Sequence, residues 1–199
     1  MIKIARSCVS AAVLAALLHA APAQAQTAPI RVFVALTGSD SNPCTFASPC
    51  KSAQHAHDVV AAGGEMRMLD PGSYGLLTIT KAISILGDGH GGIAASNGAT
   101  AITINSGAGD NVNLRGLVIE GFGTGANGIV FNTGASLDIQ DSIVRNFTIN
   151  GIQFTPSAAS DLNVSQTLVS DLAGQGRLIP PARRRCYRSQ PEGAPSRRS

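Results

Sequence analysis

Three stretches of this chain align without gaps at one constant spacing: Val112–Phe122, Leu137–Phe147 and Leu162–Leu172. Five columns are apolar in every copy: 112/137/162, 114/139/164, 118/143/168, 119/144/169 and 122/147/172. Between the copies runs a second motif, Ala101–Asn105, then Gly128–Asn132, then Gly151–Thr155. Upstream, Glu65–Met68, Leu76–Ile79 and Ala82–Ile85 show the same short alternation. Alternation with period two, rich in Ile and Val and punctuated by Gly, Asn and Ser, specifies strands. A fixed repeat of roughly 20–30 residues specifies a solenoid, in which each unit leans only on its neighbours. A unit of this length holding two or three short strands makes one coil of a parallel β-helix. Each strand then pairs with its equivalent one coil away, about 4.8 Å along the axis. Inward side chains stack on their own kind, which is why the columns keep their character. Asn105 and Asn132 fall at one corner, where stacked amides hydrogen-bond to each other and hold the bend. A leucine-rich repeat would need a fixed Leu spacing and a polar anchor in every unit, and the chain has neither.

The flanks read differently. Lys3 and Arg6 precede an apolar stretch, Val9 to Ala21, and Ala23-Gln24-Ala25 supplies small residues at the two positions a signal peptidase reads. This is the order of a cleaved export signal. Residues 1–25 are therefore expected to be removed near Ala25, leaving a periplasmic or secreted protein. No apolar run reaches the ~18–20 residues of a spanning helix. At the other end, Arg177 to Ser199 holds seven arginines and four prolines and does not continue the repeat, although Gly176 still falls in register with Gly151. Residues 177–199 are either an out-of-frame or truncated end of a longer solenoid, or a genuine basic, disordered tail that binds anionic surfaces. Between these flanks, Gln26 to Gly176 carries six basic and eleven acidic residues, so the formal charge of +3 belongs to the ends. A mildly acidic body argues against nucleic acid as a partner.

Export changes the meaning of the cysteines. Cys44 and Cys50 bracket a loop of five residues with Pro43 and Pro49 beside them. Outside the cytoplasm such a pair stays oxidised, and a disulfide is expected. A metal site is not, because neither a His nor a third Cys stands at a ligand spacing. Ser52 to Ala62 reads as one short helix stopped by Gly63-Gly64, with Ala53, Ala56, Val59 and Val60 on one face. His55 and His57 are two apart, project in different directions and read as solvated surface residues. Residues 26–62 thus form a cap of strand, cysteine loop and helix, and residues 63–176 the coils.

The body resembles the right-handed parallel β-helix proteins of the pectin-lyase-like superfamily, above all the exported bacterial β-helix repeat proteins of unassigned role. The resemblance rests on Thr37–Cys44, Ser48-Pro49-Cys50, the helix running to Gly63-Gly64, Leu69–Tyr74 and Ile83–Gly89, and spans residues 30–176. It implies an all-β, right-handed parallel β-helix whose open end is closed by an N-terminal strand and helix. Capping matters because a bare terminal coil exposes unpaired strand edges and apolar stack.

Relatives of this fold include polysaccharide lyases, hydrolases and epimerases, and the motifs of their sites are not recognised in this sequence. Gly89-His90-Gly91 superficially resembles a Gly-His-Gly motif of the polygalacturonases. Their Asn-Thr-Asp, paired Asp-Asp and Arg-Ile-Lys motifs are absent, and Gly87 to Gly92 reads as a turn. Asp138 and Asp141 stand three apart across an expected bend. Glu120 and Arg145 share an outward column one coil apart, which suits a surface ion pair better than a catalytic dyad. The loops 132–136 and 155–160 are too short to wall a cleft, and there is no Trp to stack sugars. No catalytic residue, cofactor or metal ligand is assigned; the residues singled out, Cys44, Cys50, Asn105 and Asn132, are structural. The expected role is an exported scaffold meeting polysaccharide or cell-surface material. The alternative is the N-terminal part of a polysaccharide-processing enzyme. Acids with a Lys or Arg on adjacent coils of one face would favour the enzyme; an even, uncharged face would favour binding.

Overall fold

The computed structural model of the protein describes residues 27–173. The expected export signal, Gly176 and the Arg- and Pro-rich stretch 177–199 lie outside the described residues.

Alternating side chains build short strands, and the corners between them gather the strands into coils. β1 (Arg31–Val34) and the helix α1 (Ala53–Val59) come first. One coil comprises β2 (Gly64–Met68), β3 (Gly72–Ser73) and β4 (Leu77–Ile79). The next has β5 (Ile83–Leu86), β6 (Gly91–Ala94) and β7 (Thr100–Asn105). β8 (Asn111–Arg115), β9 (Val118–Glu120) and β10 (Asn127–Thr133) form the third. β11 (Ser136–Gln140), β12 (Ile143–Arg145) and β13 (Asn150–Phe154) form the fourth, and β14 (Asp161–Ser165) and β15 (Leu168–Ser170) begin another. Equivalent strands pair in parallel in three sheets, ordered β1-β2-β5-β8-β11-β14, β3-β6-β9-β12-β15 and β4-β7-β10-β13. The result is a parallel β-solenoid of about four turns with a single short helix.

The constant spacing of the three aligned copies is the register of the later coils. Gly64, Ile83, Val112, Leu137 and Leu162 are successive partners, and the first step is the shortest. The second is the longest, with Ser84 and its partner Asn113 standing 29 residues apart. The last two settle at 25 residues, as Asn111 to Ser136 and Asp138 to Asn163 show. The differences are absorbed at corners. After β8, β11 and β14 the bend is made by Gly116, Asp141 and Gln166, with φ of 63°, 50° and 48°. This left-handed conformation suits Gly and is tolerated by Asp. At Gly116 the requirement is double, because a Cβ there would lie 2.9 Å from the Gly89 nitrogen.

Inward columns form the core. Met66, Ile85, Leu114 and Ile139 stack beneath the six-stranded sheet. Ile79, Ile104, Phe131 and Phe154 do so beneath the four-stranded one, where Phe131 and Phe154 stack at 4.7 Å between ring centroids. Two of the five apolar columns do not face uniformly inward. Val118, Ile143 and Leu168 lie on the outward side of their strands, because Ile119, Val144 and Val169 next to them point in. In the 122/147/172 column, Phe147 is buried but Phe122 is 66% exposed. The corner from Gly121 to Ala126 is longer than the one from Asn146 to Ile149, so the positive-φ bend falls on Phe122 (φ 51°) and turns its ring outward.

The cap closes the first coil. The Cys44–Cys50 disulfide spans 4.6 Å between Cα atoms. Its loop hydrogen-bonds along the free edge of β1: Phe33 N–H donates to the Cys44 carbonyl at 2.9 Å, and Cys50 N–H to the Phe33 carbonyl at 3.0 Å. This covers donors and acceptors that an edge strand would otherwise offer to another chain. Asp40 fastens the loop to the helix, accepting from the Lys51 and Ser52 amides at 2.9 and 2.8 Å and from the Ser52 hydroxyl at 2.7 Å. Burial pushes the Asp40 carboxyl up, but these bonds outweigh it and hold it below its ordinary range.

The helix is shorter than expected: Ser52 is its N-cap, accepting from His55 N–H, and Val60 closes it. His57 is not solvated but 2% exposed. Positions 53, 56, 57 and 60 form the inward stripe of a helix, and the side chain of His57 falls on it. Its Nε2 accepts the Thr80 N–H at 3.2 Å and its Nδ1 lies 3.1 Å from Asp58 Oδ1. Burial holds its pKa below the usual histidine value; the Asp58 hydrogen bond only partly opposes this, and nearby Lys81 adds to it.

Candidate functional site

The outward side of the six-stranded sheet gathers more polar side chains than any other surface described. Because successive residues alternate sides, the positions between core residues project outward, and pairing one coil apart aligns them. One column reads Arg31, Glu65, Ser84, Asn113, Asp138, Asn163. Its neighbour reads Phe33, Arg67, Leu86, Arg115, Gln140, Ser165. Six strands at that spacing make a face about 24 Å long.

The columns are cross-linked. Asn113 Nδ2 donates to Ser84 Oγ at 3.3 Å, Asn163 Nδ2 to Asp138 Oδ1 at 2.9 Å, and Ser136 Oγ to Asn111 Oδ1 at 2.8 Å. Glu65 Oε1 receives Arg31 Nε at 2.7 Å and Arg67 Nε at 3.1 Å. Arg115 Nε pairs with Asp141 Oδ2 at 3.2 Å. The face is therefore charged rather than even and uncharged, and each of its arginines has a carboxylate.

Two shallow, open depressions lie on it. The larger, about 420 Å³, is lined by Arg67, Leu86, Asp88, Arg115 and Asp141; the smaller, about 270 Å³, by Glu65, Ser84, Asn113 and Asp138 among others. Among the described residues the buried polar side chains are His57, Ser106 and Ser142, and no carboxylate is fully buried. What the arrangement does well is offer many hydrogen-bonding groups at one-coil intervals over an open surface.

The residues singled out in the sequence fall in two separate pairs, Cys44 with Cys50 in the cap and Asn105 with Asn132 on the four-stranded sheet. Asn132 Nδ2 donates to Asn105 Oδ1 at 2.8 Å, across a register shift between Phe131 and Thr133. A parallel rung runs from Asn150 to Asn127 at 3.0 Å and on to Thr100 at 3.2 Å. Arg145 Nε lies 2.7 Å from Glu120 Oε2, on the five-stranded sheet. Burial raises the Glu120 carboxyl, but Arg145, the Asn146 amide at 2.7 Å and the Phe122 N–H at 3.0 Å hold it below its ordinary value. Asp138 and Asp141 have separate partners and form no dyad. His90 is exposed in a turn, its Nδ1 3.1 Å from the Asp88 carbonyl. The expectation that no histidine stands near the cysteines is corrected. The first turn of α1 brings His55 beside them, and the two sulfurs and one ring nitrogen lie within 4.8 Å of one another. The sulfurs are bonded to each other, so neither is a thiolate able to hold an ion.

Sequence reasoning passed over the two outward columns, although the polar 113/138/163 column stands between the apolar 112/137/162 and 114/139/164. It also missed Ser142. That buried hydroxyl accepts from Leu117 N–H at 3.1 Å and donates to the Gln140 carbonyl at 2.7 Å; one coil on, Thr167 makes the equivalent bond to the Ser165 carbonyl at 2.9 Å.

No family model, curated protein or solved structure matches this chain. Among the described residues no helix is long and apolar enough to cross a membrane.

Proposed function

We propose that this protein is an exported β-helix scaffold, akin to the pectin-lyase-like superfamily, that binds polysaccharide on the outward face of its six-stranded sheet. The supporting observation is the polar ladder itself. Asn, Ser, Asp, Gln and Arg side chains recur at one-coil intervals over a long, open surface. A polymer of hydroxylated rings needs such a surface: many modest hydrogen bonds, shared with water, rather than one deep pocket. Existing cross-strand bonds hold the side chains in place, which lowers the entropy lost on binding.

The second reading is a polysaccharide-processing enzyme, and the criterion drawn from the sequence favours it, since the face is charged and Asp88, Arg115 and Asp141 border one depression on adjacent coils. Against it stand the solvent access of that depression and the pairing of Asp141 with Arg115.

The two readings separate in one experiment. The purified chain and its Asn113→Ala, Arg115→Ala and Asp138→Ala variants are run in affinity gels containing neutral or uronate polysaccharides, and the same polymers are assayed for cleavage. Retardation that the variants weaken, without cleavage, supports the scaffold. Cleavage abolished in Asp88→Asn or Asp141→Asn establishes the enzyme. Neither retardation nor cleavage with any polymer overturns the polysaccharide reading.

A further inference from the structure

The polar ladder ends on an aromatic pair. Phe33 stands in the same outward column as Arg67, and its register partner is Arg67 itself. Phe46, in the disulfide loop, meets Phe33 edge to face, with ring centroids 5.5 Å apart at 80°. Phe46 is 69% exposed. An isolated exposed apolar residue needs no explanation, but this one sits on a loop that is tied down at several points.

The loop carrying it is closed by the disulfide. Asn42 Nδ2 donates to the Pro49 carbonyl at 2.8 Å, and Ser48 N–H to the Thr45 carbonyl at 3.2 Å. The Asp40 carboxylate ties the next residues to the helix. Through its two bonds to Phe33 the loop takes the place of one more strand beside β1, so the aromatic pair extends the face instead of standing off it.

Resting on the polysaccharide reading, we infer that Phe46, backed by Phe33, is a stacking platform for one end of the bound chain, and that this chain is a flat, β-linked glycan. A gluco-configured pyranose carries its hydroxyls around the ring edge and bare C–H groups on its faces. Its face fits an exposed aromatic ring, and its edge fits a neighbouring Arg or Asn ladder. A chain of β-1,4-linked rings is extended and ribbon-like, and can lie along stacked strands from Phe46 towards Asn113. An α-1,4-linked chain curls away from such a surface.

The test measures the affinity of the full chain for cellohexaose and for maltohexaose by calorimetry, with Phe46→Ala, Phe46→Trp and Phe122→Ala. Phe122 is the control, an equally exposed phenylalanine on a different corner. The expected result is binding of cellohexaose, a loss on the order of tenfold in Phe46→Ala, retention in Phe46→Trp and no change in Phe122→Ala. Maltohexaose binds more weakly and is insensitive to Phe46. Because Phe46 is exposed, the thermal midpoint of Phe46→Ala should stay close to that of the parent, which separates lost contact from lost fold. Equal affinities for the parent and Phe46→Ala, or for the two hexasaccharides, overturn the platform and leave the polar face standing. If the parent binds neither hexasaccharide, the platform falls. Binding of other polysaccharides in the affinity gels then decides whether the polar face falls with it.

Discussion

Replacing Phe131 by alanine tests whether this molecule is stabilised coil by coil. Phe131 is fully buried, stacked on Phe154 on one side and paired in register with Ile104 on the other. Removing its ring leaves a void that neighbours above and below cannot close, and such changes cost roughly 3–5 kcal/mol. Phe154 lies 3% exposed on the last described strand of the same sheet, with no further described strand of that sheet over it. With a described strand of its sheet on one side only, Phe154 has fewer neighbours held in place around its ring, so Phe154→Ala is expected to lose mainly the transfer term, about 1.5–3 kcal/mol. For a chain of this size the first change lowers the thermal midpoint on the order of 10 °C and the second about half as much. Hydrogen exchange resolved by peptide supplies the decisive reading. In a stack where each coil touches only its neighbours, Phe131→Ala strips protection from β10 and β13 and leaves β2 and β5 protected. Uniform loss across all strands, or equal costs for the two variants, would falsify the coil-by-coil account.

Three further outcomes follow from polar groups. His57 has a folded pKa below its unfolded value of 6.5, so the unfolded chain takes up the proton first; stability is full above about pH 6.5 and declines as pH falls towards the folded pKa. His57→Gln should flatten that part of a pH–stability profile, and an unchanged slope would remove His57 from the account. Glu120 is also held below its unfolded value, so its contribution is present above about pH 4.5 and lost as pH falls through the folded pKa. A double-mutant cycle on Glu120 and Arg145 should return about 0.5–1 kcal/mol at neutral pH, since Arg145 is half-exposed, and close to zero in acid. Ser142→Ala leaves a buried Leu117 N–H without its acceptor and should cost about 1–3 kcal/mol by chemical denaturation; Ser142→Thr should recover most of it, because Thr167 makes the same carbonyl bond one coil away.

The coil was legible because inward positions have to match from one turn to the next: Val112, Leu137 and Leu162 announce their own register. Corners carry no such constraint. Phe122 shares a column with Phe147 in the alignment, yet a longer corner turns it outward. His57 was hidden for a different reason. Beside His55 it looks like one of a divergent pair, whereas Ala53, Ala56 and Val60 place it on the buried stripe. The polar face was visible in principle, since Asn113, Asp138 and Asn163 alternate with core residues, but their number on one sheet emerges only when β1 and β2 join it. Phe33 belongs to a strand and Phe46 to a separate loop, and only the folding of that disulfide loop back along β1 brings them together.

The coils differ in length yet share one uninterrupted set of sheets. Outline and scaffold are therefore separable: the exposed corner at Gly107–Gly109, whose hydrogen bonds stay within its own turn, could accept a grafted peptide, displaying it beside the stack while every rung keeps its partner. A lineage, or an engineer, can reshape the silhouette of such a molecule without renegotiating its interior.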